Sequence, residues 1–240
     1  MADLIFYNKV VSLDSRIHHD LRVNPQGGYA FAAKTNSVPV VGIEFADTSR
    51  EYPIAFVKAQ GGVFLPVALL GLREDENLFV DGEGRWDARY IPAFVRRYPF
   101  VPAEAEQGEV VICIDEAAAC LNREEGEPLF AGDQPSAYLQ NMLNLMREYQ
   151  AHAQRSQEFC KHLQENDLLV ESNAQAQLPD GTAFNLSGLF VVDEKRLLAL
   201  DKEKVHALFA QGELGLIYAH LMSLGNLQRL VEKLGTRLQG

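Results

Sequence analysis

The chain has 240 residues, 47% apolar and 23% charged, with a formal net charge of −11. That balance is too hydrophobic for a disordered chain and too polar for a membrane-embedded one. A chain this long buries roughly three-quarters of the surface its unfolded form exposes, so it needs neither metal nor disulfide to fold and makes one large domain or two small ones. An acidic surface repels phosphate, which argues against nucleic acid and anionic membranes as partners.

The start of the chain, Met1-Ala2-Asp3-Leu4-Ile5-Phe6, lacks a basic segment followed by an apolar one, so no secretory signal is expected. Nor does any apolar run approach the roughly 20 residues of a spanning helix, and no membrane insertion is expected. Cys113, Cys120 and Cys160 are an odd count without metal-ligand spacing. Reduced thiols in a cytoplasm fit that count better than a disulfide framework.

His18-His19-Asp20 is the densest cluster of titratable side chains, followed by Leu21-Arg22-Val23 as the start of a strand. Adjacent strand residues point to opposite faces, so both histidines enter one site only from a turn. In favour of function, His19 offers an imidazole as base or ligand and Arg22 can bind a carboxylate or phosphate. The competing reading has one histidine bonded to backbone and the other solvated.

Strands are expected at Tyr29–Ala33, Val38–Phe45, Pro53–Lys58, Val63–Leu72 and Val110–Ile114. Gly27-Gly28, Gly61-Gly62 and Asp81-Gly82 supply the positive-φ turn positions between them. Asn36 and Ser37 are candidates to bind a ligand, yet both are ordinary turn residues whose side chains satisfy their own backbone. Asp47 is placed to cap a helical turn through Arg50, and Pro92 to open another over Ala93–Arg97.

Glu44 and Glu51 flank that first turn and form a candidate acid/base pair, against a surface ion-pair reading. The lone tryptophan, Trp86, is either a stacking platform with Arg96 and Arg97 nearby or a packing anchor. The loop at Asp81-Gly82-Glu83-Gly84 has Trp86 and Pro92 where a calcium loop needs glycine and a carboxylate, so it is not an EF-hand. From Ala103 to Asp133 there are nine acidic residues and one basic residue, Arg123. A solvated loop region is expected there.

A long helix is expected from about Pro135-Ser136, with Leu139, Met142, Met146, Tyr149, Ala153, Ser156, Cys160 and Leu163 alternately three and four apart on one stripe. Leu168–Ala176 and Thr182–Val192 flank Asp180-Gly181, a hairpin signal. Helices then follow Asp193, span Asp201–Gln211, and run from Glu213 to about Leu234 with Gly235 as the stop. The stripes pack inside the chain or form a homodimer seam. His152, His162, His206 and His220 stand alone, and their ordinary role is surface or hydrogen-bonded core.

The fold class is therefore α+β. A strand-rich half, residues 1–133, packs with a helical half, residues 134–240, that carries a hairpin at 168–192, all in a single domain. The sequence contains no dinucleotide or phosphate loop, no metalloprotease or serine-hydrolase signature and no zinc-type cysteine pair. It leans away from an enzyme, and no cofactor or metal is expected.

The ordered segments Phe31-Ala32-Ala33, Thr35-Asn36-Ser37-Val38-Pro39-Val40, Arg50-Glu51-Tyr52-Pro53-Ile54, Pro66–Leu72, Gly84-Arg85-Trp86 and Tyr90–Phe100 resemble the SapC family. The likeness continues through Gly126–Phe130, Gly188–Glu194 and Ile217–Leu224. This bacterial family is named from a member linked to a crystalline surface layer. Relatives are encoded beside outer-membrane receptors and flavin-dependent halogenase-like proteins, which implies an accessory role. The resemblance supplies no catalytic residues.

The leading expectation is a cytoplasmic accessory protein that acts through a protein or peptide partner. One alternative is an enzyme or metal-binding protein using His19, Arg22, Glu44, Glu51 and Trp86. The other is a surface-layer structural protein, which requires export.

Overall fold

A computed structural model of the chain describes residues 5–104, 110–177, 181 and 183–239. Its first part alternates short strands and single helical turns: β1 (Val10–Ser12), α1 (Ser15–His18), β2 (Arg22–Val23), β3 (Ser37–Pro39), α2 (Phe45–Thr48), β4 (Ile54–Lys58), β5 (Phe64–Leu69), α3 (Ala93–Arg96), β6 (Phe100–Glu104) and β7 (Val110–Asp115). Four two-residue strands follow: β8 (Leu121–Asn122), β9 (Glu127–Pro128), β10 (Phe130–Ala131) and β11 (Gln134–Pro135). The chain then forms α4 (Ala137–Glu165), the hairpin β12 (Leu169–Gln177) and β13 (Ala183–Val192), and the helices α5 (Glu194–Leu198), α6 (Lys202–Ala210), α7 (Glu213–Ser223) and α8 (Leu227–Gln239). All pairing is antiparallel, and the fold is α+β.

The main sheet has five strands in the order β12-β13-β4-β5-β3, which joins the late hairpin to strands from the first third of the chain. Between β13 and β4 the register pairs are Leu189 with Val57 and Phe190 with Phe56. Beyond them His220 of α7 takes over the pairing. Val192 N–H donates to its Nε2 at 3.0 Å, and its Nδ1 lies 2.9 Å from Ile54 O. Those partners assign the proton to Nδ1. Ser223 Oγ accepts from Ile54 N–H at 2.8 Å and donates to His220 O at 2.6 Å, so every polar atom at this seam is satisfied.

Helix α4 has 29 residues and is about 43 Å long by the usual helical rise. Ser136 caps it by accepting from Leu139 N–H at 3.1 Å. Its stripe is buried within the chain, with Leu139 and Met146 in a smaller core beside Val23, Phe100, Ile114 and Leu129, and Phe159, Cys160 and Leu163 in the larger one. Full burial of each such apolar side chain contributes about 1.5–3 kcal/mol. Phe56 of β4 meets both Phe159 of α4 and His220 of α7, so the two helices cover the same face of the main sheet.

Several expected elements take another form. Tyr29–Ala33 is not a strand: Ala30–Ala32 is a 3-10 turn, with Ala32 N–H bonded to Tyr29 O. Its small-large alternation serves packing instead, as Phe31 stacks on Tyr98 at 4.0 Å and Ala32 is fully buried. The strand expected over Val38–Phe45 stops at Pro39, and Gly42–Glu44 and Phe45–Thr48 are helical turns. Asp47 lies inside α2 instead of capping it, because Glu44 occupies the cap position. At the Asp81 turn the positive-φ residue is Gly84, not Gly82.

The acidic stretch contains β7 to β10 and is not simply loop. Asp115 within it is fully buried and accepts from the Asn8, Lys9 and Ala117 amides. The expected helix from Glu213 is two helices, broken at Leu224–Asn226 where Asn226 Nδ2 donates to Ser49 O and Tyr52 O. It runs past Gly235 because the Arg237 guanidinium anchors the last turn on Asn77 O and Val80 O. The hairpin stands as expected and Gly181 has positive φ, but Leu178, Pro179, Asp180 and Thr182 lie outside the described residues.

Candidate functional site

The residues singled out in the sequence do not share one site. His18 ends α1, buried, with Nδ1 on Asp14 backbone and Nε2 3.2 Å from Glu116, which also pairs with Lys9 at 2.7 Å. His19, next to it, is exposed. Arg22 points to Gly126 O at 2.8 Å. An open cleft of about 560 Å³ is lined by Lys9, His18, Glu116 and Arg123 but by neither His19 nor Arg22. Asn36 ties its segment to the end of β5: its backbone carbonyl accepts from Leu70 and Gly71 N–H, its Oδ1 accepts from Ser37 Oγ at 3.4 Å, and with Ser37 it lines a separate small cleft of about 170 Å³.

Glu44, Trp86 and Arg96 do meet, around Tyr90. Glu44 Oε1 accepts from Tyr90 OH at 2.6 Å and Ala93 N–H at 2.7 Å, while Oε2 accepts from Val41 N–H at 3.0 Å. Trp86 Nε1–H donates to Tyr52 OH at 2.8 Å, and Tyr52 OH donates in turn to Tyr90 O. The Arg96 guanidinium lies 5.9 Å from the Tyr90 ring centre. Burial and the Glu44 charge push the Tyr90 phenol well above its ordinary range, so it stays a donor. Every member of this network is committed to another, and Trp86 is a packing anchor edge-on to Tyr29.

Glu51 makes none of these hydrogen bonds and pairs with Arg229 at 2.6 Å. Arg97 is buried with its guanidinium 4.0 Å from Phe94 and 5.4 Å from Tyr149. Its Nε and Nη2 have no hydrogen-bond partner among the described residues.

A second arrangement lies where the Gly42–Glu44 turn, α4 and the α6–α7 junction come together, around a cleft of about 430 Å³. Gly42 N–H donates to Ser156 Oγ at 2.8 Å, and Ser156 Oγ donates to His152 O at 2.7 Å, which fastens the turn to α4. A Cβ on Gly42 would stand 3.1 Å from Leu216, so the close approach favours glycine. Gly212, with φ +74, turns the chain from α6 into α7 and delivers Glu213 as the first residue of α7.

Glu213 is 6% exposed and lines this cleft. Its Oε1 lies 2.8 Å from His162 Nδ1, and its Oε2 is buried with no partner among the described residues. An unsatisfied buried acceptor costs about 1–3 kcal/mol. Burial pushes the carboxyl above its ordinary range, and His162 offsets part of that rise. Ile43, Phe159 and Leu216 supply apolar wall, while Arg155, Glu158 and Gln211 are exposed at the rim. Cys160 lies behind the wall with its thiol pushed up to about 12 by burial, which leaves it unreactive. The arrangement can hold an apolar side chain against that wall.

The sequence offered His162 as a surface or hydrogen-bonded histidine, and it is hydrogen-bonded, but Glu213 was not singled out. A glutamate opening a helix reads as a surface residue favoured by the helix dipole, and its burial arises from His162, 51 residues earlier. Among the described residues, no group of three or more His, Cys, Asp or Glu is placed to hold a metal ion. Among the described residues, no helix is long and apolar enough to cross a membrane.

The family model for SapC matches residues 13–230. No curated protein and no solved structure matches the chain.

Proposed function

The chain belongs to the SapC family, and from that premise we propose that it is an accessory protein that binds a segment of a protein partner and carries out no reaction of its own. The observation behind this reading is the open 430 Å³ cleft, with apolar walls from Ile43, Phe159 and Leu216 and polar groups at its rim. A concave site walled by apolar side chains with a few polar groups around it is the usual form of a binding site. The titratable groups that looked best suited to catalysis are already used: Glu44 accepts three hydrogen bonds and Glu51 holds Arg229. We place the binding in the cytoplasm, in keeping with three free cysteines.

The test compares tagged wild-type protein with Ile43→Asp in the native cell. Ile43 is 65% exposed at the cleft, so the change leaves the core intact. The partner captured by wild type, and by a control with Glu203→Gln on the exposed side of α6, should be lost from Ile43→Asp. Equal capture by all three proteins would rule out the cleft as the binding site.

A further inference from the structure

We propose that a second site, the small pocket between the loop 24–28, the end of α3 and the start of α4, takes a single uncharged aromatic ring. It shares no lining residue with the cleft, so it stands or falls independently of the reading above.

The pocket has a volume of about 160 Å³. An apolar cavity of about 150 Å³ holds benzene, so the space matches one six-membered ring. Four side chains in its wall are themselves aromatic: Tyr29, Phe31, Tyr98 and Tyr138. Each is partly exposed, so the core leaves part of its surface unclaimed. Their arrangement is fixed before anything binds. Phe31 stacks on Tyr98 at 4.0 Å, and Tyr29 lies 6.2 Å from Phe31 and 5.6 Å from Trp86. Such a wall favours an aromatic guest, because the positive edge of one ring meets the negative face of another.

The loop side is equally fixed. Asn24 N–H donates to Cys120 O at 2.8 Å, Gly27 N–H to Asn24 O at 3.1 Å and Tyr29 N–H to Gly84 O at 2.7 Å. A Cβ on Gly27 would stand 3.0 Å from Cys120 Cβ, so the loop approaches the thiol as closely as glycine permits. A wall formed in advance keeps the ordering cost of binding low.

Charge decides between a neutral ring and a cation, since aromatic walls also attract quaternary ammonium groups. Burial pushes the Tyr138 phenol up to about 12 and the Cys120 thiol up to about 11, and holds the Tyr98 phenol above its ordinary range. All three are therefore neutral at physiological pH. Arg96, the charged residue in the wall, is itself a cation. Asp115, bonded to Tyr98 OH at 3.3 Å, is fully buried and outside the wall, and its charge is met by the Asn8, Lys9 and Ala117 amides. A cationic guest finds no counter-charge there.

The experiment titrates phenol into the full chain and follows the backbone amide signals of Gly27 and Gly28 by NMR. A second readout is the rate at which iodoacetamide alkylates Cys120, with the buried Cys113 and Cys160 as internal controls. Saturable shifts are expected, together with a Cys120 rate that falls as the pocket fills. Cyclohexanol and tetramethylammonium should each bind at least about threefold more weakly. Chain already alkylated at Cys120 should not bind phenol, and Tyr138→Ala, which removes one wall, should bind it severalfold more weakly. N-acetyl-phenylalanine amide separates the sources of the ring: binding as tight as phenol assigns it to a side chain of a partner, and binding of phenol alone to a free small molecule.

Equal affinity for cyclohexanol would overturn the proposal by showing a merely apolar hollow. Tighter binding of tetramethylammonium would overturn it in favour of a cation cage. Absence of shifts with phenol, or phenol binding unchanged after Cys120 is alkylated, would overturn it as well.

Discussion

Glu44 and Glu213 are both buried, at 4% and 6% exposure, and both lie close to the face that α4 presents to the larger core. Glu44 has donors on both oxygens: a phenol and two backbone amides. Glu213 has His162 on one oxygen and, among the described residues, no donor on the other. Burial alone therefore does not tell whether both oxygens of a carboxylate are paired. What separates them is whether the fold supplies the donors. Around Tyr90 it supplies all of them; at the cleft it stops one short.

Breaking the saturated side should have the largest effect. Glu44→Gln turns an acceptor into a donor facing donors, and should cost about 3 kcal/mol. That should lower the melting temperature by about 6–12 °C for a chain of this size.

His220 offers a second saturated polar group, and acid breaks it. Burial depresses its imidazole from 6.5 to about 4. The unfolded chain then binds the extra proton, so this contribution is complete above pH 6.5 and is lost as pH falls toward 4. The loss is on the order of 3 kcal/mol. A His220→Gln variant should be less stable at neutral pH and flatter across that window, as denaturant titrations at a series of pH values will show.

Tyr90→Phe sharpens the comparison by taking one donor from Glu44 and leaving the two amides, and should cost about 1–2 kcal/mol by the same assay. Glu213→Gln should have the smallest effect, within about 1 kcal/mol, and of opposite sign at pH 8. Its carboxyl is raised, so ionisation works against the fold as pH rises through that range, and the neutral amide escapes the penalty. The advantage should fade in acid. A large loss of stability from Glu213→Gln would place both carboxylates in the same structural class.

The sequence was most legible where periodicity and caps agree. The α4 stripe, its Ser136 cap and the β12–β13 hairpin were all readable, because local pattern and tertiary burial call for the same conformation. Tyr29–Ala33 was misread because alternating small and large residues fit a packed turn as well as a strand. Asn77 decides the matter, with its side chain donating to Ala32 O and its amide to Ala33 O, and nothing local announces it.

Among the candidate residues, Glu44, Trp86 and Arg96 were brought together, while His19 and Arg22 were not. The cleft was invisible for another reason. Its floor needs Gly42, Ser156, His162 and Glu213 from three separated stretches, each ordinary by itself.

The length of α4 has one more consequence. Its first half belongs to the smaller core and its second half to the larger one. An opening that displaces the whole helix therefore exposes both cores at once, while fraying of one end exposes only one of them. Hydrogen exchange in β7, at the far end of the helix from the cleft, should slow when the cleft is filled.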